Sequence, residues 1–73
     1  MKTNIRRIAC HEIVLEDGAT LSLSVVEIRQ GVPVRCYPLT QEQPFTEWLS
    51  GQIVLRRDDA GIVRAYYNNV IIN

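Results

Sequence analysis

Apolar and polar residues alternate along most of this chain, as they do in half-buried β-strands. The alternating runs cover residues 5–15, 20–29, 32–39, 52–57 and 62–67, and residues 70–72 form a short apolar run at the end. Segments that favour tight turns separate them at residues 16–18, 30–31, 58–61 and 68–69. The pattern predicts three hairpins and a short last strand.

Two of the long runs change phase partway. In the second run Leu21, Leu23 and Val25 are apolar, and then Val26 and Ile28 take over that role. In the first run the apolar phase likewise moves between Cys10 and Ile13. A slip of one residue is typical of a β-bulge or of a strand that bends. Both runs therefore favour a curved sheet over a flat one.

The segment from residue 36 to residue 51 departs from the alternation. It contains the single Phe and the single Trp of the chain, and Phe45, Trp48 and Leu49 are spaced three and four apart after Pro44. This spacing is that of one helix face, with Gly51 as a stop signal. The sequence predicts a helix of about two turns at residues 44–50, whose face of Phe45, Trp48 and Leu49 plugs one end of the β core.

The predicted fold class is all-β. The chain, residues 1–73, forms one domain: a small barrel or a buckled β-sandwich of five or six mostly antiparallel strands with that one short helix.

Composition excludes some functions more firmly than it suggests others. Eight basic residues balance eight acidic ones, so no net charge steers the chain towards nucleic acid or anionic lipid. No run approaches the roughly 20 apolar residues of a membrane span, which predicts a cytoplasmic protein with no membrane partner. In that compartment Cys10 and Cys36 are expected to be reduced thiols.

Few residues could carry chemistry. Cys10 and His11 are neighbours on a predicted strand and point to opposite faces, so they cannot act on each other as nucleophile and base. Cys10, His11 and Cys36 lack the short spacing of a zinc site. The sequence predicts no catalytic residues, no metal, no cofactor and no enzymatic activity. A cryptic metal-binding protein or enzyme, in which Cys36 approaches Cys10 or His11, is the less favoured alternative.

Nucleic acid is the alternative partner. Tyr37, Tyr66 and Tyr67, with arginines on the same runs, are the ingredients of a surface on which single-stranded bases stack. The element order also fits a small oligonucleotide-binding barrel. Adjacent arginine pairs project to opposite faces, however, which dilutes any basic patch.

Residues 25–55 carry two resemblances. One resemblance is to a segment of short bacterial proteins of uncharacterised function, and it rests on Pro38-Leu39-Thr40 followed by Thr46-Glu47-Trp48-Leu49 and Gly51. No activity is known for that family, so the resemblance does not indicate one. A second likeness is to the small N-terminal β domain of metal-dependent amidohydrolases, with Leu49-Ser50-Gly51 at its turn. The His-x-His metal pair is missing, so this likeness implies a folded-over β shape alone.

These observations predict a non-catalytic interaction or accessory module that binds a protein partner or a second copy of itself as a homodimer. The expected interaction surface is what the plug leaves exposed: Thr40, Gln41, Glu42, Gln43 and Glu47.

Overall fold

The computed structural model describes residues 5–41 and 46–73, and these form a single curled sheet. Its strands are β1 (Ile5–Val14), β2 (Thr20–Arg29), β3 (Val32–Pro38), β4 (Thr46–Arg57), β5 (Val63–Tyr67) and β6 (Val70–Ile72). The order across the sheet is β3-β2-β1-β4-β5-β6. All neighbouring strands are antiparallel except β1 and β4, which are parallel. The prediction of an all-β fold with mostly antiparallel strands is confirmed.

The sheet curls into a half-barrel that brings β5 close to β3, although the two strands are not hydrogen-bonded neighbours. The Nη1 atom of Arg64 on β5 donates a hydrogen bond of 2.8 Å to the carbonyl oxygen of Gly31, in the turn between β2 and β3. Gly31 has φ of 78°, and a Cβ there would lie 2.6 Å from Arg64 Nη1. The backbone conformation of this position therefore favours glycine, and a Cβ there would displace the Arg64 guanidinium from its hydrogen bond.

The core lies on the inner face of the curled sheet and is almost wholly aliphatic. Its buried residues are Ile8, Cys10, Ile13, Val26, Ile28, Ile53, Leu55, Ala65 and Ile72. β1 contributes three of these residues and β2 and β4 contribute two each, so the three central strands supply most of the apolar burial. The outer face is not exposed to solvent throughout, because Ala9 and Val25 are buried on it.

Both predicted phase changes are present. Ile8, Cys10 and Ile13 all belong to the core, and the register between β1 and β4 shifts between Cys10 and Glu12. In β2 the change lies earlier than the sequence suggested. Leu21 packs against the core and Val26 belongs to it, although the two are an odd number of residues apart. Leu23, with φ of 45°, is the irregular residue between them, so the alternation changes there and not between residues 25 and 26.

The predicted helix at residues 44–50 is wrong for residues 46–50, which are the first part of β4. Thr46 to Leu49 pair with Arg7 to Cys10 of β1, and this ladder satisfies the backbone over a segment too short to be stable as a helix. In a strand, neighbouring side chains point to opposite faces. Leu49 accordingly packs against the core while Trp48 is 48% exposed, and the two do not form a common buried face. Phe45 lies outside the described residues.

Candidate interaction surface

A bulge in β4 organises the region around His11. Between the pairs Cys10–Leu49 and Glu12–Gln52, one residue of β1 faces two residues of β4, Ser50 and Gly51. Gly51 has φ of 99°, a conformation that L side chains rarely adopt. The bulge removes Gly51 from the regular ladder, so its backbone groups need other partners.

Two adjacent side chains of β1 supply those partners. The Nδ1 atom of His11 accepts a hydrogen bond of 3.2 Å from the Gly51 N–H. The Cys10 thiol donates to the Gly51 carbonyl oxygen, with 3.1 Å between Sγ and oxygen. Cys10 and His11 thus bind different backbone groups of the same glycine. The acceptor role of Nδ1 places the proton of neutral His11 on Nε2.

Trp48 lies beside this bulge on the outer face. Its ring contacts the His11 ring edge to face, with centroids 4.8 Å apart and planes at 78°. This geometry is favourable for aromatic pairs. Since the His11 ring is hydrogen-bonded to Gly51, this contact restricts the orientation of the exposed indole.

Leu23 extends the exposed area onto β2. It lies between Ser22 and Ser24, which pair with Glu12 and Cys10, so it faces His11 across the ladder. Its side chain is 46% exposed. We call Leu23, His11 and Trp48, on three adjacent strands, the Trp48 surface.

The predicted interaction residues divide between this surface and other parts of the molecule. The Leu39 N–H donates a 3.0 Å hydrogen bond to the carbonyl of Leu23, a member of the Trp48 surface. The exposed residues Thr40 and Gln41 come next in the chain after Leu39. Glu47 is exposed but belongs to the opposite side of β4. Its carboxylate accepts two hydrogen bonds from Arg6, at 2.7 and 2.9 Å, and this lowers the pKa of Glu47. Glu42 and Gln43 lie outside the described residues.

Cys36 does not join Cys10 and His11. It pairs with Val26 on β2, and Val26 pairs with Ile8, so a whole strand separates Cys36 from β1. Both cysteines are free thiols, and burial raises the pKa of Cys36. Within residues 5–41 and 46–73, no three His, Cys, Asp or Glu side chains are close enough to hold a metal ion. The same residues include no helix that is long and apolar enough to cross a membrane.

Sequence reasoning missed a buried carboxylate on the outer face. Glu27 is 6% exposed and accepts a 2.7 Å hydrogen bond from the Tyr37 hydroxyl. Arg7 and Arg35 flank it at 3.2 and 3.3 Å. The Tyr37 hydrogen bond, followed by the two arginines, lowers the pKa of Glu27, while burial raises the pKa of Tyr37. The signal was a charged residue between Val26 and Ile28, inside the most apolar part of β2.

The arginines are mostly neutralised by such pairs. Arg6, Arg7, Arg35, Arg57 and Arg64 each lie within ion-pair distance of a carboxylate. The tyrosines of the predicted stacking surface are also dispersed. Tyr37 is bonded to Glu27, and Tyr67 packs against the core with its hydroxyl donating to the Ser50 carbonyl at 2.6 Å. Two of the tyrosines each stack with an arginine: the Arg35 guanidinium lies 5.2 Å from the Tyr37 ring centroid, and the Arg56 guanidinium lies 3.9 Å from the Tyr66 ring centroid.

Comparison with known proteins gives no match to a family model, to a curated protein or to a solved structure. The two resemblances drawn from residues 25–55 therefore stay predictions.

Proposed function

We propose that this protein is a non-catalytic interaction module that binds a protein partner through the Trp48 surface. The observation that carries the proposal is a tryptophan that is 48% exposed and held by the fixed ring of His11. Tryptophan is enriched among the residues that dominate binding energy in protein interfaces. A side chain that is already oriented also loses little conformational entropy on binding.

The surroundings of Trp48 fit an interface. Leu23 adds apolar area on one side, and the exposed polar residues Thr40 and Gln41 follow the Leu39–Leu23 hydrogen bond. Apolar centres with polar rims are the usual composition of protein interfaces. The Trp48 surface would supply the centre and residues 40–41 part of the rim.

Pairing through a strand edge is less favoured than binding through this surface. The edge strand β3 contains Pro33 and Pro38, which have no N–H to donate, and its register with β2 shifts at Val34. The other edge strand, β6, has three residues. Proline, irregular register and short length are devices that discourage edge pairing.

The test compares Trp48→Ala with Val70→Ala, a truncation at an apolar residue that is 66% exposed on β6. Proteins retained from a lysate by the wild type and by Val70→Ala, but not by Trp48→Ala, are the candidates. One of them, purified, should bind the purified wild type and shift the emission of Trp48, the only tryptophan in the chain. Candidates that bind all three forms equally would refute the use of this surface.

Two further measurements distinguish the alternatives. Sedimentation that depends on protein concentration, and that Trp48→Ala abolishes, would identify a second copy as the partner. Salt-sensitive binding of single-stranded oligonucleotides that survives Trp48→Ala would instead favour the nucleic-acid function.

A further inference from the structure

A small hollow on the outer face lies apart from the Trp48 surface. Its lining residues are Gln52, Val54 and Arg56 on β4, Tyr66 on β5, and the turn residues Asn68 and Asn69. Its volume is about 200 Å³. Sites for drug-sized ligands usually measure roughly 300 to 1,000 Å³. The hollow therefore suits a small group instead of a large cofactor.

Arg56 is the unusual residue in this hollow. Five of the other arginines are in ion pairs, whereas Arg56 contacts no carboxylate among the described residues. The Tyr66 ring supports one face of its guanidinium at 3.9 Å. A guanidinium supported in this way keeps the N–H groups along its edge for a ligand, and their planar fork matches the oxygens of carboxylate and phosphate groups.

The neighbouring groups leave a local positive charge. Arg64, which faces Arg56 across the ladder, is balanced by Asp58 at 3.1 Å. The Glu12 carboxylate on β1 accepts a 3.2 Å hydrogen bond from Nε2 of Gln52, and Glu12 is not one of the lining residues. Among residues 5–41 and 46–73, no other charged residue lines the hollow. The charge of Arg56 is thus the one that a ligand in the hollow would meet first.

The turn at the end of the hollow adds neutral donors. Asn68 and Asn69 have φ of 53° and 66°, so both residues of this hairpin turn are left-handed. Glycine meets that requirement without a side chain, whereas two asparagines bring two amide groups to the hollow. Amide N–H groups can complete the hydrogen bonding of an oxyanion that Arg56 binds.

We propose that this hollow is a binding site for a small oxyanion, a carboxylate or phosphate group, held by Arg56 and positioned by Tyr66. The proposal is independent of the Trp48 surface, which lies at the other end of β4. The occupant is a single anionic group, since Arg56 supplies one fork.

The experiment titrates the ¹⁵N-labelled protein with sodium phosphate and, separately, with sodium acetate, using sodium chloride of the same ionic strength as reference. We expect saturable shifts at the amides of residues 52–56 and 66–69 with at least one oxyanion and not with chloride. The arm that saturates at the lower concentration identifies phosphate or carboxylate as the preferred group. Shifts that never saturate, or that chloride reproduces, would overturn the proposal.

Matched variants separate the site from general charge. Arg56→Gln should weaken binding by roughly tenfold or more, because it removes a charge-assisted hydrogen bond. Arg29→Gln removes the same charge from an exposed arginine of β2 and should leave binding unchanged. Tyr66→Leu should weaken binding, and Tyr66→Phe, which keeps the ring under Arg56, should restore it. Equal losses in Arg29→Gln and Arg56→Gln would also overturn the proposal.

Discussion

The Nδ1 atom of His11 accepts a hydrogen bond from the backbone N–H of Gly51, at 3.2 Å, across the bulge between β1 and β4. The bond connects the only histidine of the chain to a glycine in a left-handed conformation. It also fixes the ring on which Trp48 rests. The local stability of the bulge and the orientation of the exposed tryptophan are consequently coupled.

His11→Ala should lower the free energy of unfolding by about 1 to 2 kcal/mol. It removes the acceptor for Gly51 N–H and the aromatic contact with Trp48, each of which contributes on the order of 1 kcal/mol. Urea unfolding followed by circular dichroism measures the change, and Trp48 emission should change as well. Thr20→Ala, at an exposed position of β2, is the control and should have little effect. An unchanged emission spectrum in His11→Ala would show that the ring contact does not hold the indole.

Gly51→Ala should cost about 1 to 3 kcal/mol, the usual cost of a strained backbone conformation. In the part of the chain that the structure describes, no atom lies within 4 Å of where an alanine Cβ would be, so the expected cost comes from φ of 99° and not from a clash. Ser50→Ala, at the neighbouring bulge residue, should be nearly neutral. If the two variants unfold at the same urea concentration, the left-handed conformation is not required.

Glu27→Gln should destabilise the protein by roughly 1 to 3 kcal/mol at neutral pH, because the buried carboxylate accepts hydrogen bonds from Tyr37 and Arg7. The pKa of Glu27 is lowered in the folded state, so its ionised form stabilises the fold above the pKa of the unfolded state. That contribution is lost as the pH falls through the lowered pKa of the folded state. The difference between wild type and variant should therefore be constant near neutrality and shrink in acid.

Glu16→Gln provides the matched control for Glu27. Glu16 is also paired with an arginine, Arg57, but both side chains are largely exposed. Surface pairs of this kind contribute roughly 0 to 1 kcal/mol. The loss of stability relative to the wild type is measured against pH for both variants. If Glu16→Gln shows the same pH dependence as Glu27→Gln, the buried carboxylate has no specific role.

Trp48→Ala should cost only about 1 to 2 kcal/mol, well below the roughly 3 to 5 kcal/mol of a buried aromatic truncation, because 48% of Trp48 is exposed. Ile53→Ala is the comparison, since Ile53 is fully buried in the core, and it should cost about 2 to 5 kcal/mol. Thermal and urea unfolding check the order. If Trp48→Ala lowers the free energy of unfolding more than Ile53→Ala does, the main role of Trp48 is structural.

The hairpins could be predicted because their signals are local. Gly18, Gly31 and Gly61 all have positive φ, as do Asn68 and Asn69, and each lies in the turn that its residue type indicated. The runs next to those turns became strands with nearly the predicted bounds, except that β4 begins at Thr46 and not at Gln52. Alternation and turn chemistry are both read within a few residues, so distant contacts were not needed.

The start of β4 could not be predicted in the same way. Trp48 and Leu49 are compatible with a short helix, and what decides their conformation is the ladder with β1. The candidate surface depended on the same distant pairing. Exposure of Trp48, its contact with His11 and the bond to Gly51 all follow from β4 lying beside β1, which no local pattern specifies.

The parallel pairing of β1 with β4 has a kinetic consequence. β1, β2 and β3 are joined by short turns and can associate early, but Cys10 and Gly51 meet across 41 residues of sequence. Contacts of such long separation carry a loop-closure cost and slow folding. Until Ile53 and Leu55 arrive on β4, the apolar side of the three-stranded meander is uncovered. We expect the docking of β4 to limit the folding rate and to end the period in which the chain is most prone to aggregate.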